Sequence, residues 1–340
     1  MVCSHLGRPK GRVVDSLRLD PVAEALGAAL GQDVDKLDEV VGTTVQKAVM
    51  GVGAGSVTLL ENLRFDPREE QNDPEFADEL ASLAVCYVDD AFGAAHRAHA
   101  SVVGVAERLP SAAGRLMERE VEVLSKLREE AEEPYVAILG GAKISDKLAT
   151  VNSLVERVDA LLIGGAMAFS FIAASGGEVG SSLVEKQLFD EVRGAVSEAE
   201  KRGVLIQLPE DVVAAPEPSL DAKRETVRAA EIPRGLMGLD IGPRTVEEFA
   251  RTIADAKTIF WNGPMGVFEL EPFSSGTRGV ATAVAGANAF SVVGGGDSLA
   301  ALKKFGLEDA IDHLSTGGGA SLEYLEGREL PGISVLMVEA

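Results

Sequence analysis

A chain of 340 residues is too long for one ordinary hydrophobic core, so two domains are the default. With 46% hydrophobic and 25% charged residues it is globular in composition, which excludes a disordered chain. The net charge of −22 repels phosphate backbones and argues against a nucleic-acid partner.

The 54 acidic residues against 12 lysines and 20 arginines fit a salt-adapted cytoplasm and an ordinary acidic protein of a high-GC genome equally well. Cys3 and Cys86 lack CxxC spacing and nearby histidine ligands, so they imply neither a disulfide framework nor a metal site. Arg8, Lys10 and Arg12 come too early for a signal-peptide core, and a cytoplasmic location is expected. Two uncharged runs, residues 160–177 and 279–296, approach a membrane span of ~18–20 residues. Glycine pairs and triplets with Ser or Asn interrupt both, so buried strand, turn and helix start explain them better, and no membrane partner is expected.

In chain order, Ser4-His5-Leu6-Gly7-Arg8-Pro9 reads as a strand end entering a turn, with a histidine and an arginine placed to face one anion. Gly51-Val52-Gly53-Ala54-Gly55 lacks the spacing of a dinucleotide fingerprint and reads as a loop. Residues 57–60 and 85–88 are predicted strands. Arg64 follows the first, and Arg97, between His96 and His99, follows the second. Residues 114–133, with Leu116, Val121, Leu124 and Leu127 among Glu and Arg, predict a helix bridging two domains and ended by Pro134.

The second half alternates strand and helix. Strands are predicted at 135–139, 160–163, 204–208, 258–261 and 290–293, the first two linked by a helix with Leu148, Val151, Leu154, Val155 and Val158 on one face. Such βαβ units make a parallel sheet, whose ligands bind at the carboxyl ends of the strands. Three glycine clusters stand there. Gly294-Gly295-Gly296-Asp297-Ser298 opens a helix whose free N–H groups suit a phosphate, and Asp297 suits a magnesium ion carried by it. Gly317-Gly318-Gly319 opens a second helix. Gly140-Gly141-Ala142-Lys143-Ile144-Ser145-Asp146-Lys147 reads as a third helix start, with two lysines on one helical face. There is no Walker motif and no G-x-G-x-x-G, which argues against a P-loop enzyme and a nicotinamide-dependent dehydrogenase. In the first half, His5, Arg8, Arg64 and Arg97 all follow strand ends. A parallel sheet brings them to one edge, where arginine forks suit phosphate and carboxylate.

Eight segments in this order resemble the phosphoglycerate kinase family: residues 4–11, 59–65, 89–101, 140–147, 163–169, 260–269, 294–298 and 315–321. Trp261-Asn262-Gly263-Pro264-Met265-Gly266-Val267-Phe268-Glu269 is the most specific. The resemblance implies an α/β chain with two doubly wound, Rossmann-like parallel-sheet domains joined by a hinge helix. The expected parts are an incomplete phosphoglycerate-binding domain at 1–113, a hinge helix at 114–133, a nucleotide-binding domain at 134–315, and a segment at 316–340 closing toward the hinge and N-domain.

It also implies a phosphotransferase of glycolysis and gluconeogenesis, a monomer, which transfers a phosphoryl group reversibly between 1,3-bisphosphoglycerate and ADP. By matching motif, His5, Leu6, Gly7, Arg8, Arg64 and Arg97 bind the acid. Lys147, Asn262, Glu269, Gly295, Gly296, Asp297 and Ser298 bind the nucleotide, with Glu269 on the ribose. Lys143, Lys147, Gly318 and Gly319 act on the transferring group. Magnesium enters with ADP or ATP at Asp297, and no tightly bound organic cofactor is implied. Transfer is in line, by positioning and charge neutralisation, after the hinge closes.

The family begins with a strand carrying Arg-x-Asp-x-Asn-x-Pro and a second arginine, and this chain has neither. That strand and its crossover occupy ~30 residues or more ahead of position 1. A fragment or misplaced start is therefore expected, with an open N-domain core and activity lowered on the order of 10³-fold. The alternative reading is an impaired fragment that only binds nucleotide.

Overall fold

The computed structural model describes residues 1–337 and divides the chain into two compact units. Unit 1 comprises residues 1–118 with the C-terminal stretch from Glu329, and unit 2 comprises Arg119–Arg328. Both are α/β with parallel strands, as the sequence predicts.

Unit 1 runs through α1 (Asp20–Leu30), β1 (Val34–Lys36), α2 (Thr43–Met50), β2 (Val57–Leu59), α3 (Pro74–Ala81), β3 (Tyr87–Asp89) and β4 (Ser111–Ala113) to the start of α4 (Arg115–Glu129). α1 has a proline in its first turn and ends at Gly31 in the left-handed region (φ 67°), which a residue with a Cβ rarely adopts. α3 is capped by Asp73, whose carboxylate accepts the Phe76 amide at 2.9 Å. β1 and β2 pair in parallel, and Val2 adds to the far side of β2 through Val2 N–H to Thr58 O (2.7 Å) and Leu60 N–H to Val2 O (3.0 Å). β3 and β4 form a second parallel pair. Phe76, Leu80, Leu60, Leu63 and Val45 fill the core beside them. The short helix Pro331–Ser334 packs in the same unit: Gly332 donates to Ala95 O, and a Cβ at Gly332 would lie 2.9 Å from the Ala95 Cα.

The two pairs do not join into one sheet. A cleft of about 590 Å³ lies between residues 1–4 and residues 86–91. Val2 turns both backbone groups to β2, and Tyr87 and Asp89 bond toward β4 (Tyr87 N–H to Pro110 O, Gly114 N–H to Asp89 O). Since alternate residues of a strand face opposite edges, Cys3 and Val88 direct theirs into the cleft.

Unit 2 contains β5 (Tyr135–Leu139), α5 (Leu148–Val155), β6 (Ala160–Ile163), α6 (Ala168–Ala174), β7 (Glu178–Val179), α7 (Phe189–Arg202), β8 (Leu205–Gln207), β9 (Asp211–Ala215), β10 (Glu225–Arg228), β11 (Glu231–Ile232), β12 (Met237–Ile241), α8 (Pro243–Ala254), β13 (Thr258–Asn262), α9 (Ser275–Gly286), β14 (Phe290–Gly294), α10 (Gly296–Phe305), β15 (His313–Ser315) and α11 (Gly319–Leu325). Six strands form one parallel sheet in the order β15-β14-β13-β5-β6-β8. β5, β6 and β13 are buried throughout, which explains their unbroken apolar runs. β10, β9 and β12 form a separate antiparallel sheet that alternation alone did not reveal.

Several boundaries differ from expectation. The strand predicted at 85–88 is Tyr87–Asp89, because Val85 stands 87% exposed ahead of it. The helix predicted at 114–133 is Arg115–Glu129. The Asp90 carboxylate takes the Leu116 and Met117 amides at 2.7 and 3.0 Å, and a Cβ at Gly114 would strike Asp90. Its buried stripe is Met117, Glu120, Val123, Leu124 and Leu127, while Leu116 is exposed, because a buried glutamate sets the face. Residues 140–147 are loop, not helix, and α5 starts only at Leu148. The uncharged runs resolve into β6 with α6 and α9 with β14. No helix among the described residues is long and apolar enough to cross a membrane.

Candidate functional site

In unit 1 a group of cations gathers beyond the carboxyl end of β2. Arg64 lies in the 3-10 turn Leu63–Phe65, and its Nη1 donates to the Gly7 carbonyl at 3.1 Å. Its Nε stands 3.5 Å from Glu70. Burial lowers the pKa of this guanidinium; Arg97 and Arg8 push the same way, and Glu70 and Glu69 oppose. Arg97 and Arg8 are thus each close enough to repel Arg64. His5 is pushed down to about 4, first by burial and then by Arg64, so it is a neutral donor or acceptor near pH 7. His99 is also lowered, by burial and then Arg64, although Glu69 stands 3.9 Å from its Nδ1. Glu69 is raised by burial and uses its oxygens on the Ser101 amide (3.0 Å) and hydroxyl (2.5 Å), so that contact is no ion pair. Arg97 Nε donates to His96 Nε2 at 3.3 Å.

The predicted His5, Arg8, Arg64 and Arg97 are therefore brought together, with Leu6 and Gly7 in the same exposed loop. His99 and Asn62, neither of them a predicted site residue, belong to the same place.

In unit 2 the glycine-rich strand ends enclose two adjoining cavities. One, of about 290 Å³, is lined by Gly141, Lys143, Asp146, Lys147, Asn262, Gly263 and residues 295–298. Its floor is close-packed backbone. Gly140 and Gly141 donate to Asn262 O and Pro264 O, and a Cβ on Gly263 (φ 98°) would lie 2.3 Å from Gly140 O. The Ser298 hydroxyl accepts the Gly263 amide at 2.6 Å. Lys147 donates to the Asn262 carbonyl at 3.0 Å and to its side-chain oxygen. Burial pushes this ammonium down to about 8, against the pull of Asp297 and Asp146. Lys143 lines the same cavity from an exposed loop position, so the two lysines meet there without sharing a helical face.

The second cavity, about 350 Å³, is mostly apolar, with Ala166, Phe169, Leu183, Met237, Leu239, Met265 and Val267 on its walls and Glu269 and Asp297 at polar positions. Asp240 also lines it. Burial pushes its carboxyl up to about 7, although it accepts the Gly276 amide at 2.6 Å and the Ile241 amide at 3.0 Å. An apolar slot joined to a polar, glycine-lined one suits a flat ring attached to phosphates.

Gly318 and Gly319 follow β15 and line neither cavity. The turn before them is fixed by buried Glu120, which takes His313 Nε2 (3.0 Å), the Ser315 hydroxyl (2.8 Å) and both the amide and hydroxyl of Thr316 (2.6 and 2.8 Å). Burial alone would raise Glu120; these bonds outweigh it and hold the carboxyl below its usual range.

A family model described as phosphoglycerate kinase matches residues 1–328. The phosphoglycerate kinase of Thermomicrobium roseum is 55% identical over 340 residues, which is all of this chain and 87% of that protein. That of Rubrobacter xylanophilus is 58% identical over 333 residues, 98% of this chain and 84% of that protein. Among solved structures, phosphoglycerate kinase from Coxiella burnetii matches with a TM-score of 0.85 at 42% identity, over 99% of this chain and 85% of that one.

Proposed function

The chain belongs to the phosphoglycerate kinase family, a family of phosphotransferases, and from that premise we propose how its residues divide the reaction. That reaction is the reversible transfer of a phosphoryl group between 1,3-bisphosphoglycerate and ADP. The relatives favour this activity over a chain that only binds nucleotide.

Unit 1 takes the three-carbon acid. Arg8, Arg64 and Arg97 supply positive charge to its phosphate and carboxylate, and neutral His5 supplies a hydrogen bond without adding to the repulsion among them. The observation that carries this is Arg64, whose side chain is 12% exposed, bonded to the Gly7 carbonyl, and repelled by Arg97 and Arg8. An anion between them relieves that repulsion.

Unit 2 takes the nucleotide. Its base and ribose enter the apolar slot, with Glu269 toward the ribose. Its phosphates meet Lys147 and the backbone of residues 295–298. Among the described residues no group of three His, Cys, Asp or Glu could hold a metal unaided. Asp297 lines both cavities beside Lys147, which fits a magnesium ion arriving on the phosphates and completed by one carboxylate. Bound there, magnesium offsets phosphate charge. Lys147, desolvated and fixed on Asn262, presents its ammonium to the phosphate chain without reorganising. Lys143 and the amides of Gly318 and Gly319 act on the group in flight. No covalent enzyme intermediate is formed.

We place the protein in the cytoplasm as a monomer, which its two free cysteines and acidic composition support. The test is a coupled assay of the 340-residue chain with 3-phosphoglycerate and MgATP, with and without molar KCl, beside calorimetric titration of each ligand. Turnover with both ligands bound supports the assignment. MgADP binding with no turnover and no acid binding returns the nucleotide-only alternative.

A further inference from the structure

The loop carrying His5 and Arg8 has no helix or strand between Val2 and Asp15, and Leu6 is 39% exposed. Its course is nevertheless fixed, and largely by one side chain. Asn62 is fully buried. Its amide nitrogen donates to the Leu6 carbonyl and to the Leu17 carbonyl, each at 2.9 Å. Its Oδ1 accepts the Arg64 amide at 3.1 Å. Both N–H groups of a primary amide are thus spent on the two legs of one loop, and its oxygen holds the backbone of the arginine that faces that loop. The legs are also in contact: Gly7 turns at φ 67°, and a Cβ there would lie 2.8 Å from Leu17 Cδ2.

Behind Asn62 stands Glu61, 1% exposed. Its Oε1 accepts the Asn62 and Leu19 amides at 2.8 and 3.0 Å, and its Oε2 takes Lys36 Nζ at 2.7 Å and Arg18 Nη1 at 3.0 Å. A buried carboxylate satisfied on both oxygens fixes the backbone from which Asn62 projects.

We propose that Asn62 is a positioning residue for the acid site: it sets the spacing of His5, Arg8 and Arg64 before the acid arrives. This rests on reading those cations as the acid site. Holding the loop in place in the free protein removes an ordering cost from binding.

Two substitutions separate the bonds from the shape. Asn62→Asp keeps the outline but aims an acceptor at two carbonyls. Asn62→Ala removes the donors without adding charge and carries the test if the first variant does not fold. The measurements on the full chain are separate calorimetric titrations with 3-phosphoglycerate and with MgADP, and hydrogen exchange without ligand.

Expected for both variants is acid binding weakened at least about tenfold, equivalent to about 1.4 kcal/mol, with MgADP affinity within about twofold. Exchange should quicken at Gly11 and Leu17, whose amides are bonded to Arg64 O and Val14 O, and stay unchanged in α3 of the same unit. Acid binding equal to the parent's overturns the positioning role while leaving the acid site standing. Exchange quickened throughout unit 1, α3 included, also overturns it, since the side chain then merely supports the fold. A parent that binds no 3-phosphoglycerate overturns the acid-site reading itself, and the positioning role with it.

Discussion

One strand from each unit makes the most instructive contrast. β13 is paired along its length, with β14 on one side and β5 on the other, and all its residues are buried. β3 has β4 on one side and an open cleft on the other, with Val88 58% exposed. The cations of each unit inherit that difference. Lys147 is bonded to Asn262 at the end of a strand paired on both sides, and burial has already removed much of its water. The arginines of unit 1 are held by loops. Arg64 is tied to Gly7 and, through its backbone, to Asn62. One site is positioned by the sheet itself, the other by hydrogen bonds on its rim.

The largest effect that sharpens this contrast is at Lys147. Lys147→Met should lower the rate of phosphoryl transfer by about 10²–10³-fold in the coupled assay, as removal of one preorganised donor does elsewhere. Acid binding should not change. Gly263→Ala attacks the packed strand ends directly, because the position has φ 98° and its Cβ would lie 2.3 Å from Gly140 O. Unit 2 should lose about 3 kcal/mol or more in urea unfolding; a loss under about 1 kcal/mol would mean that the packed floor yields freely.

Arg64→Ala should raise the KM for 3-phosphoglycerate by roughly 10–100-fold, the range for a charged hydrogen bond, and leave MgADP affinity alone. Equal loss of both ligands would dissolve the division between units. A pH slope is expected at Asp240, whose carboxyl is raised from 3.8 to about 7 by burial. In that window the folded state holds a proton that the unfolded state releases, so this group's contribution to stability falls as pH rises from about 4 to about 7. Asp240→Asn should flatten that part of the stability profile and gain on the parent toward pH 8, read from urea midpoints. A slope that persists in the variant assigns it to another group.

β5, β6, β13 and β14 were legible because buried strands read as continuous apolar runs, and each of these four ends in or runs directly into glycine where backbone must approach backbone. Lys147 and Asp297 were legible for the same reason, since the motif places them at those ends. The pairing of Lys143 with Lys147 was read through the wrong geometry. Spacing of four suggests a helix, but Gly140 and Gly141 bond to Asn262 and Pro264, far along the chain, and this tertiary contact keeps residues 140–147 in a loop. The strand at 85–88 slipped because a one-sided strand leaves Val85 outside it and buries Asp89. Glu61, Asn62, Glu120 and Asp240 had no signal at all. Each is a polar residue buried by partners that sequence spacing does not connect, and periodicity carries no trace of such a partner.

The cleft edge formed by Cys3 and Val88 has a colloidal consequence. Unpaired strand groups are a template for another chain, and the defence visible here is the net charge of −22. That defence acts over about 10 Å in 0.1 M salt and only about 3 Å in 1 M salt. Added salt therefore removes the repulsion between molecules while leaving the exposed hydrogen-bonding edge unchanged. Shelf life in dilute buffer and in brine should diverge, with β-rich association gaining in the brine.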